Sequence, residues 1–134
     1  MIIRSKDKVN VNGKNNPVWI LDTDALTVTQ NTPDAKPNVK IFNSDHIKYH
    51  LYYSAEYRPA RLIKLVNDGT ILSYLTNLDH SVTEAIERQV GMMLENDTEY
   101  LRAVEVGDLV KAKGLENMDR LCAREPIYAA MVYV

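Results

Sequence analysis

From Ser44 onward the apolar residues recur at spacings of three and four, whereas before it they alternate or stand in short β-branched runs, so the pattern divides the chain at about residue 43. Val9 and Val11 alternate with polar neighbours ahead of Asn12-Gly13, a pair that tolerates the positive φ of a tight turn. "KVNVNGKN" therefore predicts a hairpin. The runs "PVWIL" and "LTVT" predict two more strands, joined by Asp22-Thr23-Asp24-Ala25, whose short polar side chains suit a turn. "NTPDAKP" predicts a loop and residues 39–42 a last strand.

Ser44 or Asp45 caps a first predicted helix that runs through about residue 57, with Ile47, Leu51 and Ala55 on one face. Arg58-Pro59 opens a second, because proline is tolerated in a helix's first turn; Leu62, Leu65 and Val66 form its stripe and Gly69 ends it. Ile71, Leu75, Leu78, Val82, Ile86, Val90 and Leu94 continue one spacing and predict a single long helix over about residues 70–94. Ser81 and Glu84 form a competing capping box that would start a new helix there. The continuous helix is the preferred reading. Farther on, Thr98 is a cap, Gly107 and Gly114 are weak interruptions, and Pro126 breaks the pattern, leaving the last residues as a helix or a strand. The expected fold is α+β: a small N-terminal antiparallel β-sheet followed by a helical bundle with one long central helix. A single domain over residues 1–134 is expected, β-rich over 1–43 and helical over 44–134.

Composition changes this picture little. Apolar content of 46% and charged content of 25% are those of an ordinary globular chain. The one cysteine, Cys122, supports neither an internal disulfide nor a cysteine-rich zinc site. No apolar run approaches the ~18 residues of a membrane span, and "MIIRSKDK" lacks the long apolar core of a secretory signal, which predicts a cytoplasmic protein. Charge is uneven: residues 1–39, 40–64 and 65–134 carry +1, +3 and −6, for a net −2. A globally acidic chain argues against a broad nucleic-acid-binding field and leaves room for a local basic patch.

On a helical wheel His46, Tyr49, His50, Tyr53 and Tyr57 fall together, opposite Ile47, Leu51 and Ala55. His46 and His50 have the spacing that lets two imidazoles reach one metal, but the glutamate of zinc peptidases is missing between them, and neither a metal nor a cofactor is expected. The tyrosines read either as a contact surface or as half-buried packing between layers. Arg58, Arg61 and Lys64 recur every three residues and read as a basic edge, either for phosphates or simply solvated. Glu84, Glu87 and Glu95, with Asp97, Glu99, Glu105 and Asp108, read either as an acidic contact surface that imitates a nucleic-acid backbone or as a solvated face. There is no glycine-rich phosphate loop and no G-x-S-x-G elbow, so an enzyme is not expected.

The stretch "YRPARLIKLVNDGTILSYLTNLD" resembles the transposon-encoded TnpV-like family, small proteins of conjugative transposons and related mobile elements. Arg58, Leu62, Leu65, Val66, Gly69, Ile71, Leu75, Leu78 and Asp79 fall at that family's spacing. "TEYLRA" at residues 98–103 is similar to its T-E-x-L-K-A string, and Met118 stands where the family has a methionine. The resemblance covers about residues 48–134; the family's Trp-Val pair is replaced by Leu109-Val110, and the strand-rich start has no counterpart. It implies a mobile-element setting and transfers no catalytic residues. The expected function is a non-enzymatic accessory or regulatory protein that binds a protein partner, including inhibition of a host defence nuclease of the CRISPR type. The alternative is a nucleic-acid-binding module using the tyrosines, Arg58, Arg61 and Lys64. Pairing of the long helix with a second copy is also open, and no membrane partner is expected.

Overall fold

The computed structural model describes residues 1–33 and 35–134; Asp34, within the expected loop, lies outside the described residues. Asn12 (φ 52°) and Gly13 (φ 82°) both turn left-handed, joining β2 (Lys8–Val11) to β3 (Lys14–Pro17) as a two-residue hairpin. A second antiparallel sheet has the order β1 (Ile2–Arg4), β4 (Trp19–Asp22), β5 (Thr27–Gln30), β6 (Asn38–Ile41). Its register sets Ile3 beside Leu21 and Leu21 beside Val28, so these three buried side chains form one face. Between β4 and β5 the Asp22 carboxylate accepts from the backbone N–H of Asp24 and Ala25, both at 3.0 Å, which builds the expected turn. The same turn drives Leu26 to φ 58°, an unusual value for leucine.

Five α-helices follow among the described residues, which makes the protein α+β as expected: α1 (Asp45–Tyr57), α2 (Pro59–Asp68), α3 (Ile71–Asn96), α4 (Thr98–Glu105) and α5 (Leu109–Ile127). Ser44 caps α1 by accepting from His46 N at 3.1 Å, and its hydroxyl donates to Asp79 on α3 at 2.6 Å. Gly69 ends α2 at φ 73°; a Cβ there would stand 3.0 Å from the Trp19 indole nitrogen, so both backbone conformation and space require glycine. Through Ser81, α3 runs unbroken. Leu75, Val82, Ile86 and Val90 keep one buried stripe, and that burial outweighs the local capping box.

Three local expectations need correction. Asp97, not Thr98, caps α4, its carboxylate accepting from Tyr100 N at 3.1 Å. Gly107 is a full break at φ 77°, after which Asp108 caps α5 through Lys111 N, while Gly114 lies undisturbed inside that helix. Pro126 does not end the helix: its exposed ring stays within the last turn of α5, and the missing N–H is followed by a wider π-helical turn, Tyr128–Val132.

Contacts group the chain into two units that divide within α3. The first comprises residues 1–79 with 132–134, the second residues 80–131. The core of the first joins the sheet's Ile3, Leu21 and Val28 to Ile47, Leu51, Leu62, Val66, Ile71 and Leu75. In the second, α4 lies against α5, and the buried side chains include Val82, Ile86, Val90, Ala103, Ala112 and Ala123.

Candidate functional site

In the first unit, α1 buries Ile47, His50, Leu51 and Ser54. His50 is thus on the inward face, contrary to the wheel reading that set it with the tyrosines opposite the core. A fully buried imidazole needs partners for both nitrogens. Nδ1 lies 2.8 Å from the Val132 carbonyl, which can only accept, so that nitrogen carries the proton. Nε2 then accepts from the Tyr74 hydroxyl at 2.9 Å. Burial holds the His50 pKa below its ordinary 6.5, against the pull of the Val132 hydrogen bond and with help from the Arg61 charge. Both ring nitrogens being engaged, His46 and His50 do not present a pair of open metal ligands. Among the described residues no three His, Cys, Asp or Glu side chains converge as a metal site.

The same helix carries the tyrosines outward. Tyr53 and Tyr57, one turn apart, have ring centroids 5.0 Å apart, and Tyr133 joins Tyr53 from the other side at 6.0 Å. Tyr57 is 56% exposed and Tyr133 44%, whereas Tyr53 is half-buried between them. Tilted aromatic pairs of this kind hold one another in place, so the three rings form a preorganised surface. Tyr49 is half-buried, with the Lys48 ammonium 5.7 Å from its ring centre.

The expected basic edge separates into three different environments. Arg58 is exposed, donates to the Tyr57 carbonyl at 3.1 Å and so sits at the edge of the tyrosine cluster. Arg61 turns inward: Nη2 donates to the Ser54 hydroxyl at 2.8 Å, and its Nε is shielded from solvent without an acceptor. Lys64 is held by Asp68 one turn on, at 2.8 Å, and that contact raises its pKa. One open cation remains of the three, far short of a phosphate-tracking groove.

The acidic residues belong to the second unit. Glu84 lies 3.4 Å from His80, and Glu87 receives Arg120 through Nη2 at 2.9 Å to each oxygen and through Nε at 3.2 Å. Arg120 also reaches Glu116 at 3.4 Å, and Lys113 and Arg120 together lower the Glu116 pKa. Glu95 is exposed. Of Glu84, Glu87 and Glu95, Glu87 is thus occupied within the chain by Arg120, while Glu84 stands beside a histidine that pairs with it only when protonated.

One acid pair escaped the sequence reading. Asp119 and Asp97 share the wall of an open cleft of 430 Å³ that Gln89, Met92, Met93 and Asn96 complete. Burial, and then the neighbouring Asp97 carboxylate, raises the Asp119 pKa above its ordinary 3.8; Asp119 Oδ2 is shielded with no donor facing it. No local spacing connects residues 97 and 119, so only the docking of α4 on α5 reveals the pair. Likewise, no sequence pattern could have linked His50 to Val132.

No protein-family model matches the chain, and neither a curated protein nor a solved structure shows detectable similarity to it. No helix among the described residues is long and apolar enough to cross a membrane.

Proposed function

We propose that the protein is a non-enzymatic accessory or regulatory protein of a mobile genetic element, and that it works by binding another protein through the patch of Tyr53, Tyr57, Tyr133 and Arg58. The setting rests on the TnpV-like resemblance of residues 48–134. The binding mode rests on one observation: three tyrosine rings in series, two of them substantially exposed, with an exposed guanidinium beside them. Tyrosine and arginine dominate the energetics of protein interfaces because they offer large contact area with a polar tip, and prior packing of the rings on one another reduces the entropy lost on docking. Stacked nucleobases would also suit tyrosines, but inward-turned Arg61 and Asp68-bound Lys64 leave too few cations to track a phosphate backbone. Within this reading the partner is a host defence nuclease, which the element gains by restraining.

Affinity capture from host-cell lysate, run beside a DNA gel shift at two salt concentrations, tests the proposal. Recovery of a specific protein by the native chain, and its loss with Tyr57→Ala, is the expected result. A salt-sensitive DNA shift with no protein recovered would replace this reading with the nucleic-acid one.

A further inference from the structure

Along the outward side of α5 runs a seam of exposed residues at alternating spacings of three and four: Lys111, Gly114, Met118, Leu121 and Glu125. Met118 is 63% and Leu121 66% exposed, large values for apolar side chains on a helix whose opposite face buries Ala112 and Ala123. Gly114 has no role within the chain: its φ is ordinary, and a Cβ would meet nothing within 4 Å. Glycine inside an exposed helix is unfavourable relative to alanine and belongs where another backbone comes close. Lys111 and Glu125 enter no ion pair among the described residues.

We infer that this seam is the contact by which two copies of the chain pair, α5 against α5 and antiparallel, about a two-fold axis at Met118. The sequence is self-complementary about that point. Lys111 stands seven residues before it and Glu125 seven after, so the antiparallel pair sets each lysine against the other copy's glutamate at both ends. Met118 meets its own counterpart, and Gly114 opens a hollow for Cys122 of the second copy. A parallel pair would oppose Lys111 to Lys111 and Glu125 to Glu125, which charge repulsion disfavours. A single pair of helices buries less than a standard interface, so the dimer is weak and concentration-dependent. This pairing goes beyond the tyrosine patch, with which it shares no residue.

Sedimentation of the full chain at rising concentration is expected to show a monomer–dimer equilibrium. Lys111→Glu should weaken it at least about ten-fold by placing two like-charged pairs in the seam, and adding Glu125→Lys should restore it. Cysteine bridging fixes the geometry. The two Cys122 thiols lie four residues either side of the axis and hence about 12 Å apart along it, too far for a disulfide. The native chain should therefore stay unbridged under mild oxidation, whereas Gly114→Cys should give a covalent dimer that joins position 114 of each copy to Cys122 of the other. Circular dichroism confirms that each variant is folded. A monomer at every concentration overturns the inference, and so does rapid Cys122–Cys122 bridging of the native chain. Loss of partner capture by Tyr57→Ala leaves these results unchanged, so the two proposals stand or fall separately.

Discussion

The Nδ1–H of His50 donates to the carbonyl of Val132 at 2.8 Å, across a separation of 82 residues. Because the Tyr74 hydroxyl occupies the other nitrogen, the neutral imidazole satisfies both neighbours at once. Protonation would turn Nε2 into a donor beside the Arg61 charge, in a site where desolvation already disfavours a cation.

Stability should therefore fall on the acid side of neutrality. The folded-state pKa of His50 is depressed below the ordinary 6.5, so the unfolded chain takes up the proton first as the pH drops. The His50 contribution is complete above 6.5 and is lost progressively below it. Thermal melts between pH 7.5 and pH 5 should show a falling midpoint that His50→Phe flattens; the substitution itself should destabilise by about 1–3 kcal/mol, because it leaves the Val132 carbonyl buried without a donor.

Asp119 should give the opposite dependence. Its folded-state pKa is raised, so the unfolded chain loses its proton first as pH climbs past 3.8, and the folded form is penalised above that point. Asp119→Asn should raise the melting temperature at pH 7 and bring progressively less benefit as the pH approaches 3.8. Equal gains at both pH values would show that charge at this position is not the cause.

Gly69→Ala should destabilise by about 1–3 kcal/mol. A left-handed residue with a Cβ costs about 1 kcal/mol, and the methyl must also displace the Trp19 indole from 3.0 Å. Gly114→Ala offers the internal control, since it should be neutral or slightly stabilising in the monomer. Chemical denaturation of both variants at a concentration below dimerisation checks the difference.

Tyr57→Ala should reduce partner binding at least ten-fold while moving the melting temperature little, because the ring is 56% exposed and packs on one side only. Lys64→Ala should leave capture unchanged, its ammonium being engaged with Asp68. Surface plasmon resonance with the captured partner separates the two.

Local chemistry explains which parts of this fold could be read in advance. Asn12-Gly13, Ser44, Pro59 and Gly69 act within a few residues of themselves, and the hairpin, α1 and α2 stand where those residues place them. The long α3 was legible because burial of one stripe, not capping chemistry, decides a helix of 26 residues. Failures came where distant segments compete. Asp97 displaced Thr98 as a cap only by one position, but Pro126 stayed within the last turn of α5, with a π turn following it. His50 was set on the wrong face because a wheel knows hydrophobicity and nothing of partners 82 residues away. The basic triplet misled for a related reason: regular spacing says nothing about the Ser54 hydroxyl and the Asp68 carboxylate that engage two of its members.

Residues 132–134 rejoin the first unit after the whole second unit has intervened. During synthesis, then, residues 1–79 precede the rest of their own unit, which includes the Val132 carbonyl that His50 requires and the Tyr133 ring that packs on Tyr53. Until Val132 emerges, that corner of α1 must stay hydrated, and a nascent chain arrested anywhere between residues 80 and 131 carries the same defect however well its sheet has formed. Emergence of residues 132–134, rather than completion of the sheet, closes the first unit.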